Sequence, residues 1–300
     1  MSTLSQLLNQ RTFVITADID QPREAYMNDI LNTVNGLKDN VDAVTLKSTG
    51  GPIITPNPLG FATRIMDIGT EITLQVQCAN HNRLAIQADL LAASMLGIEN
   101  ILCITGEPAD NIKNHPIKSV FDVDSTELLR ITSSLTNGID SLGNIIPDAP
   151  TFFLGSTVNP YASELADEVI RMEEKVEAGA KFFQTPPIFD RESLEQLIDI
   201  VKSLNTPVIA SILILQSGDM ARRVDQMIGG APVPYNVTDQ MDNATDKIKT
   251  GIEIAAGIIG NIKDLCAGIH IISPGQNENI LRLINKLDHL DLKNTLATER

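Results

Sequence analysis

The sequence contains no tryptophan, three tyrosines and only three cysteines among its 300 residues. Cys78, Cys103 and Cys266 form no CxxC pair and are odd in number. This pattern argues against a disulfide framework or a structural zinc site and predicts three buried thiols. Histidine, aspartate and glutamate also fail to recur at ligand spacing, so we expect no bound metal ion.

Basic residues are scarce as well, with 23 Lys and Arg against 38 Asp and Glu and a formal charge of −15. A phosphate backbone would be repelled over most of such a surface, which excludes a nucleic-acid partner. No apolar run reaches the roughly 20 residues of a membrane helix, and the N-terminus shows no secretory signal. We therefore expect no membrane association and a cytoplasmic protein.

What the sequence does contain is a rhythm of short β-branched runs, each followed by a polar turn and a segment with helical spacing. The predicted strands cover about residues 12–19, 43–48, 72–78, 100–105, 151–158, 181–186, 207–214 and 268–273. The predicted helices cover about residues 23–38, 58–68, 82–97, 125–136, 163–178, 191–204, 219–228 and 278–287. Several strands are apolar at nearly every position, as expected for parallel strands covered on both faces. Eight such units predict an α/β fold, a closed (β/α)₈ TIM barrel that forms a single domain over residues 1–300.

Two segments interrupt this rhythm. An extra loop, which Pro232 and Pro234 make extended, and an extra helix over about residues 248–262 precede the last strand. The polar connection 109–124 follows the fourth strand, and a long loop at that end of a barrel usually carries function.

Active sites of such barrels lie where the strands run out into βα loops. Polar residues at the predicted strand ends include two carboxylates, Asp18 and Glu107, and one cation, Lys47. Amide side chains are the other recurrent type at these ends, at Gln75, Gln184 and Gln216. No Ser/His/Asp or Cys/His arrangement is present, which disfavours nucleophilic catalysis. His270 falls inside the last strand, and we interpret it as an interior residue rather than a ligand.

Several stretches together resemble one enzyme family. They are EEKVEAGAKFFQTPPIFD (173–190), MLGIENILCITGEP (95–108), DAVTLKS (42–48), FVITADIDQP (13–22) and PVPYNVTDQM (232–241). In order and spacing they are similar to the methylenetetrahydrofolate reductases, flavin-dependent (β/α)₈ oxidoreductases of one-carbon metabolism and methionine biosynthesis. The resemblance runs from about residue 13 to residue 287. It implies flavin-dependent reduction of 5,10-methylenetetrahydrofolate, or a related pterin, to the 5-methyl form.

The resemblance also implies roles for individual residues near the substrate. Asp18 falls on the acid that protonates the folate nitrogen, and its pKa would have to be raised toward working pH. Glu107 falls on the carboxylate near flavin and pterin, and Gln184 on the amide that contacts the folate. We add Gln216 as a second substrate contact.

For the flavin, Thr45 and Lys175 match the family, and we predict Glu168 as a further contact. Gln75, Thr105 and Asn159 fall on cofactor positions where the family has a His, an Arg and a His. Gly155 likewise replaces a Tyr. The implied cofactor is FAD, with NAD(P)H as electron donor; because an arginine partner and a stacking ring are missing, FMN or no flavin stays open.

Three other functions remain open at this point. The first is methyl transfer from a pterin to a corrinoid protein or a thiol without flavin. The second is an aldolase or lyase that uses Lys47 as a Schiff base. The third is a barrel subunit whose electrons come from a partner protein, and a homo-oligomer is also compatible with the family.

Overall fold

The computed structural model describes residues 1–20, 27–47, 55–108, 118–227, 232–287 and 292. Eight parallel strands within these ranges close into a barrel in chain order. They are β1 (Val14–Asp18), β2 (Ala43–Lys47), β3 (Ile72–Gln77), β4 (Asn100–Ile104), β5 (Phe153–Thr157), β6 (Phe182–Pro187), β7 (Val208–Leu213) and β8 (Gly268–Ile272). Each strand lies within about two residues of its predicted position, and the predicted TIM barrel is confirmed.

Helices follow the strands around the outside. They are α1 (Thr3–Asn9), α2 (Met27–Leu37), α3 (Leu59–Met66), α4 (Arg83–Met95), α5 (Ser125–Thr136), α6 (Leu165–Glu177), α7 (Arg191–Val201), α8 (Gly218–Met227), α9 (Tyr235–Asn243), α10 (Lys247–Ile262) and α11 (Glu278–Leu287). Several begin at a side chain that accepts from their first turn, such as Asn82 before α4 and Asp124 before α5. Such caps satisfy N–H groups that the helix itself leaves unpaired, which fixes where these helices start.

The eight predicted helices correspond to α2 to α8 and α11, and two differences stand out. The insertion before β8 holds two helices, α9 and α10, because Pro234 starts a helix at Tyr235 instead of prolonging an extended entry. The amino-terminal α1 was not predicted. Its Leu4 and Leu8 are buried, although seven residues give too short a periodic pattern to recognise. None of the helices in the described ranges is long and apolar enough to cross a membrane.

Helix α1 closes the amino-terminal end of the barrel. Its Leu4 and Leu8 form one buried cluster with inward-facing residues of the strands, among them Val14 and Phe182. The Phe182 ring stacks on Phe153 with centroids 5.3 Å apart. Gly155 makes room for that ring, since a Cβ there would lie 2.2 Å from the Phe182 Cζ.

This cluster also fixes which strand residues face inward. Because side chains alternate along a strand, the inward position of Val14 places Thr16 and Asp18 inside the barrel as well. The same alternation from Ala43 and Phe182 places Lys47 and Gln184 on the interior side. Polar interior positions therefore gather toward the carboxyl ends of the strands, which we call the mouth.

Candidate active site at the barrel mouth

Asp18 is the centre of the polar cluster at the mouth. Its side chain is 4% exposed and lies between two nitrogen groups from the neighbouring strands. The Lys47 ammonium of β2 forms an ion pair with Oδ2, and His270 Nε2 of β8 lies 3.0 Å from Oδ1. No other described residue gives Oδ1 or Nε2 a hydrogen bond, so these two atoms depend on each other.

His270 connects Asp18 to the barrel interior. It is fully buried, and its Nδ1 lies 2.9 Å from the Thr16 hydroxyl. The closure of the barrel creates this contact, because Thr16 and His270 are register partners between β1 and β8. Nδ1 thus faces Thr16 while Nε2 faces Asp18, so the imidazole links these two side chains. The prediction of an interior His270 is confirmed, but its contact with Asp18 was missed.

The ion pair determines the protonation of the cluster. Burial alone would raise the pKa of Asp18, but the charges of Lys47 and then His270, with their hydrogen bonds, lower it from 3.8 to about 2. Burial alone would lower the pKa of Lys47, but the Asp18 carboxylate, and also the charge of Asp20, raise it. The expected rise in the pKa of Asp18 was therefore wrong, because the sequence did not indicate that Lys47 pairs with it.

Three other predicted residues share the interior with this cluster. Thr45 is buried directly opposite Asp18 in the β1–β2 register, and Gln75 is the register partner of Lys47. Gln184 is half-buried on β6, and no hydrogen bond to its side-chain amide occurs within the described ranges. Its amide therefore has donors and an acceptor to offer to a ligand in the mouth.

A small cavity of about 270 Å³ lies beside β3. Its lining includes Gln75 of that strand, His81 of the following loop and Asp89 of α4.

Gln216, the second predicted substrate contact, is half-buried beyond the end of β7. Its amide nitrogen donates to the Pro274 carbonyl at 2.7 Å, so it links the loops that follow β7 and β8. Asp20 ties the β8 loop to β1 in a similar way, since its Oδ2 accepts from the Gly275 N–H at 2.6 Å. Gln216 therefore helps to hold together the loops at the rim of the mouth.

The two predicted residues after β4 do not contact the Asp18 cluster. Thr105 and Glu107 are exposed, and the Thr105 hydroxyl accepts from the Ser125 N–H at the start of α5. Strand β4 is separated from β1 by β2 and β3 around the barrel. Glu107 therefore stays a predicted second carboxylate on a different side of the mouth. Of the predicted functional connection 109–124, residues 109–117 fall outside the described residues.

The remaining predicted cofactor residues hold the β5–α6 connection together. Glu168 is buried; it accepts from the Asn159 N–H at 2.8 Å and pairs with Arg171 at 2.7 Å. The buried Lys175 ammonium donates to the Thr157 carbonyl at 2.7 Å. Burial lowers the pKa of Lys175, and the nearby Glu168 opposes that change. Glu168 and Lys175 therefore form hydrogen bonds to backbone groups of the same chain.

These contacts bear on whether the described residues fit FAD. Of the six predicted flavin residues, Thr105, Glu168 and Lys175 form the internal hydrogen bonds given above, and Asn159 Oδ1 accepts from the Tyr161 N–H at 3.0 Å. Thr45 and Gln75 lie in the barrel interior. Gly155 offers no stacking ring and is closed off by Phe182. The described residues thus do not form a cradle for a tightly held FAD.

Two other classes of site can be judged from the side chains. Cys78, Cys103 and Cys266 are free and buried, as predicted, and burial raises the pKa of each to about 12. Such thiols are poor nucleophiles. Within the described ranges, no group of three or more His, Cys, Asp or Glu side chains is placed to hold a metal ion.

Comparisons with known proteins agree with this architecture. A solved structure of a Clostridium thermocellum protein that binds two copies of 5-methyl-5,6,7,8-tetrahydrofolic acid is similar over 96% of this chain and 99% of that one, with a TM-score of 0.69 and 14% identity. A tryptophan synthase chain from M. tuberculosis is similar over both full lengths, with a TM-score of 0.51 and 12% identity. At these identities the two structures show the fold alone.

Sequence comparison is more specific. Methylenetetrahydrofolate reductase 2 of Schizosaccharomyces pombe is 25% identical over 205 residues, which cover 65% of this chain. The chain spans about a third of that protein's length, with 32% covered. The family model for methylenetetrahydrofolate reductase matches residues 3–288. The chain therefore belongs to the methylenetetrahydrofolate reductase family.

Proposed function

We propose that this chain binds a reduced folate, or a related pterin, at the barrel mouth and converts its 5,10-methylene form to the 5-methyl form. The observation that carries this proposal is the Lys47–Asp18–His270 cluster, a buried carboxylate between two nitrogen groups, on a family member's barrel. The folate bound by the structurally similar Clostridium thermocellum protein supports the choice of ligand.

The reaction needs a bond to open before hydride can be accepted. In the 5,10-methylene form one carbon bridges two nitrogens, and it becomes an electrophilic iminium only when one C–N bond breaks. A proton donor assists that step, because the departing nitrogen takes up the bonding electron pair. A carboxylate stabilises the cation that results. The mouth offers both groups, an ammonium at Lys47 and a carboxylate at Asp18.

The pterin also needs a contact that orients it. Gln184 faces the same interior and has no hydrogen bond within the described ranges, so we propose that it pairs with the pterin edge. Glu107 stays our prediction for a second carboxylate at the rim. Because the described residues do not fit a tightly held FAD, we route no step through a flavin and assign hydride delivery to an exchanging donor or a partner redox protein.

Calorimetric titration with 5-methyltetrahydrofolate tests this function. We expect saturable binding, weakened about 10- to 100-fold in Gln184→Leu, because one or two hydrogen bonds to the pterin are lost. Gln196→Leu is the matched control, since Gln196 is exposed on α7 outside the barrel. No binding by the unaltered protein, or equal weakening by both variants, would contradict the proposal.

A second candidate is methyl transfer from a 5-methyl pterin to a corrinoid protein or a thiol. The internal use of Glu168 and Lys175 favours it, because this reaction needs no flavin. An absorbance scan and cofactor extraction from freshly purified protein address this point. We expect no flavin spectrum, and a stoichiometric flavin would contradict the conclusion drawn from the side chains and remove the support for methyl transfer.

A further inference from the structure

We propose that Lys47 delivers the proton to the departing folate nitrogen, while Asp18 remains a carboxylate throughout and serves as the counter-ion. The proposal rests on the folate binding proposed above. It assigns a catalytic role to a residue that the family resemblance does not single out, and it changes the role of Asp18.

Lys47 is the accessible member of the cluster. The Lys47 side chain is 37% exposed, whereas Asp18 is 4% exposed and His270 is fully buried. Both Asp18 oxygens face nitrogen groups of this cluster, one facing Lys47 and the other His270. The ammonium carries three protons, so it can hold Asp18 with one and present another to a ligand in the mouth.

Proton transfer from Lys47 also keeps the net charge of the site constant. When the Lys47 N–H bond breaks, its proton forms a bond to the departing nitrogen, and the electrons of the breaking C–N bond go to that nitrogen. Lys47 becomes a neutral amine, and the positive charge now resides on the iminium. Asp18 is then the counter-ion of that cation, across the neutral Lys47 amine, so the net charge of the site does not change. Water at the mouth returns a proton to Lys47, and a hydride donor later reduces the iminium.

The acidity of an alkylammonium also suits this proton transfer. The departing nitrogen is a weak base while it is bonded in the ring, and it would be a very strong base if it left without a proton. The pKa of the ammonium lies between the pKa values of these two forms of the nitrogen, so proton transfer is favourable while the C–N bond breaks. The raised pKa of Lys47 keeps it protonated through the neutral range, whereas Asp18, with its pKa near 2, holds almost no proton there.

The charged and titratable groups around Lys47 support this division of roles. Asp18 of β1 contacts it, Asp20 after β1 adds negative charge, and His270 of β8 lies on the far side of Asp18. Both carboxylates stabilise the protonated lysine. His270 lies against Oδ1 and holds Asp18 in place from the barrel interior.

The test measures ring opening without any reductant. Exchange of isotope-labelled formaldehyde into the bridging methylene of 5,10-methylenetetrahydrofolate can be followed by NMR. It begins with cleavage of the first C–N bond and is completed when water adds to the iminium and the second C–N bond breaks to release formaldehyde. For the unaltered protein we expect catalysed exchange that is constant through the neutral range and falls at alkaline pH as Lys47 loses its proton. If Asp18 were the acid, the rate would fall steadily as pH rises from the acidic side. That profile would overturn the proposal, and it needs no variant.

Variants separate this proposal from the proposed function. We expect Lys47→Met to keep binding of 5-methyltetrahydrofolate within about tenfold but to lose about 10²–10⁴ in exchange rate, the usual contribution of a general acid. Lys47→Ala should regain part of the rate when ethylamine is added, which a merely structural role would not produce. In Asp18→Asn the alkaline fall should move to lower pH, because Lys47 loses its counter-ion.

Lys181→Met is the control, because Lys181 is exposed and lies just before β6 at the opposite end of the barrel. It should retain both binding and exchange. Normal exchange in Lys47→Met would overturn the assignment of Lys47 while leaving the proposed function intact. Failure of the unaltered protein to bind folate would instead overturn the proposed function, and this inference with it.

Discussion

The two ends of the barrel are built from the same strands but are chemically opposite. At the amino-terminal end, Val14 and Phe182 face inward and pack with Leu4 and Leu8 of α1. At the mouth, the same β1 strand ends in Asp18, and β6 carries Gln184 only two residues beyond Phe182. Within the barrel interior, large apolar side chains thus lie at one end and hydrogen-bonding groups at the other.

The two ends differ in how buried side chains affect the free energy of folding. Burying large side chains contributes roughly 1.5–3 kcal/mol each, whereas burying a carboxylate costs free energy unless it is paired. Here Lys47 and His270 supply the pairing that lets Asp18 remain buried and ionised. Substitutions at the closed end should therefore lower the free energy of unfolding by a large amount, whereas substitutions at the mouth should change how that free energy depends on pH.

The largest expected effect on stability is at the closed end. Phe182→Ala should lower the free energy of unfolding by about 3–5 kcal/mol, since it removes a buried ring stacked on Phe153 and leaves a cavity. Ile170→Ala, at a residue 54% exposed on α6, should change it by no more than about 0.5 kcal/mol. Urea unfolding measures both. A loss below about 1 kcal/mol for Phe182→Ala would contradict the view that packing at this end contributes strongly to stability.

A smaller effect is expected at the mouth, and it depends on pH. Because the pKa of Asp18 is lowered from 3.8 to about 2, its ionised form stabilises the fold above the unfolded value, and this contribution is lost as pH falls through about 2. The shift corresponds to roughly 2 kcal/mol. Between about pH 5 and about pH 2, the unaltered protein should therefore lose about 2 kcal/mol more unfolding free energy than Asp18→Asn. Equal losses would show that the ion pair does not stabilise the fold.

Much of the fold was predictable because it depends on local patterns. Strands such as β4 and β7 are apolar at nearly every position, and the alternation with helices indicated a barrel before any contact was known. Helix α1 was not predicted because a short segment carries little periodic signal, and its burial depends on contacts with the amino-terminal ends of the strands. The break between α9 and α10 depends on local capping, where Asp246 starts the second helix.

The candidate site was predictable as a set of residues but not as a set of contacts. Asp18, Lys47 and Gln184 were recognisable as polar residues at strand ends, and they do share the barrel interior. The hydrogen bonds of Glu168 and Lys175 could not be predicted, because the sequence does not show whether a polar side chain will bind a backbone group of the same chain or a ligand. The contact of His270 with Asp18 had a weak signal, since barrel closure makes the first and last strands neighbours.

The sequence by itself determined the order of strands and helices, the family and the residue types at the mouth, because these follow from local periodicity and from matched motifs. Only the tertiary structure decided that Lys47 and His270 meet at Asp18, and hence that this carboxylate is held ionised. The physical reason is that a pKa depends on distances between charges, and residues 18, 47 and 270 become neighbours only when the barrel closes.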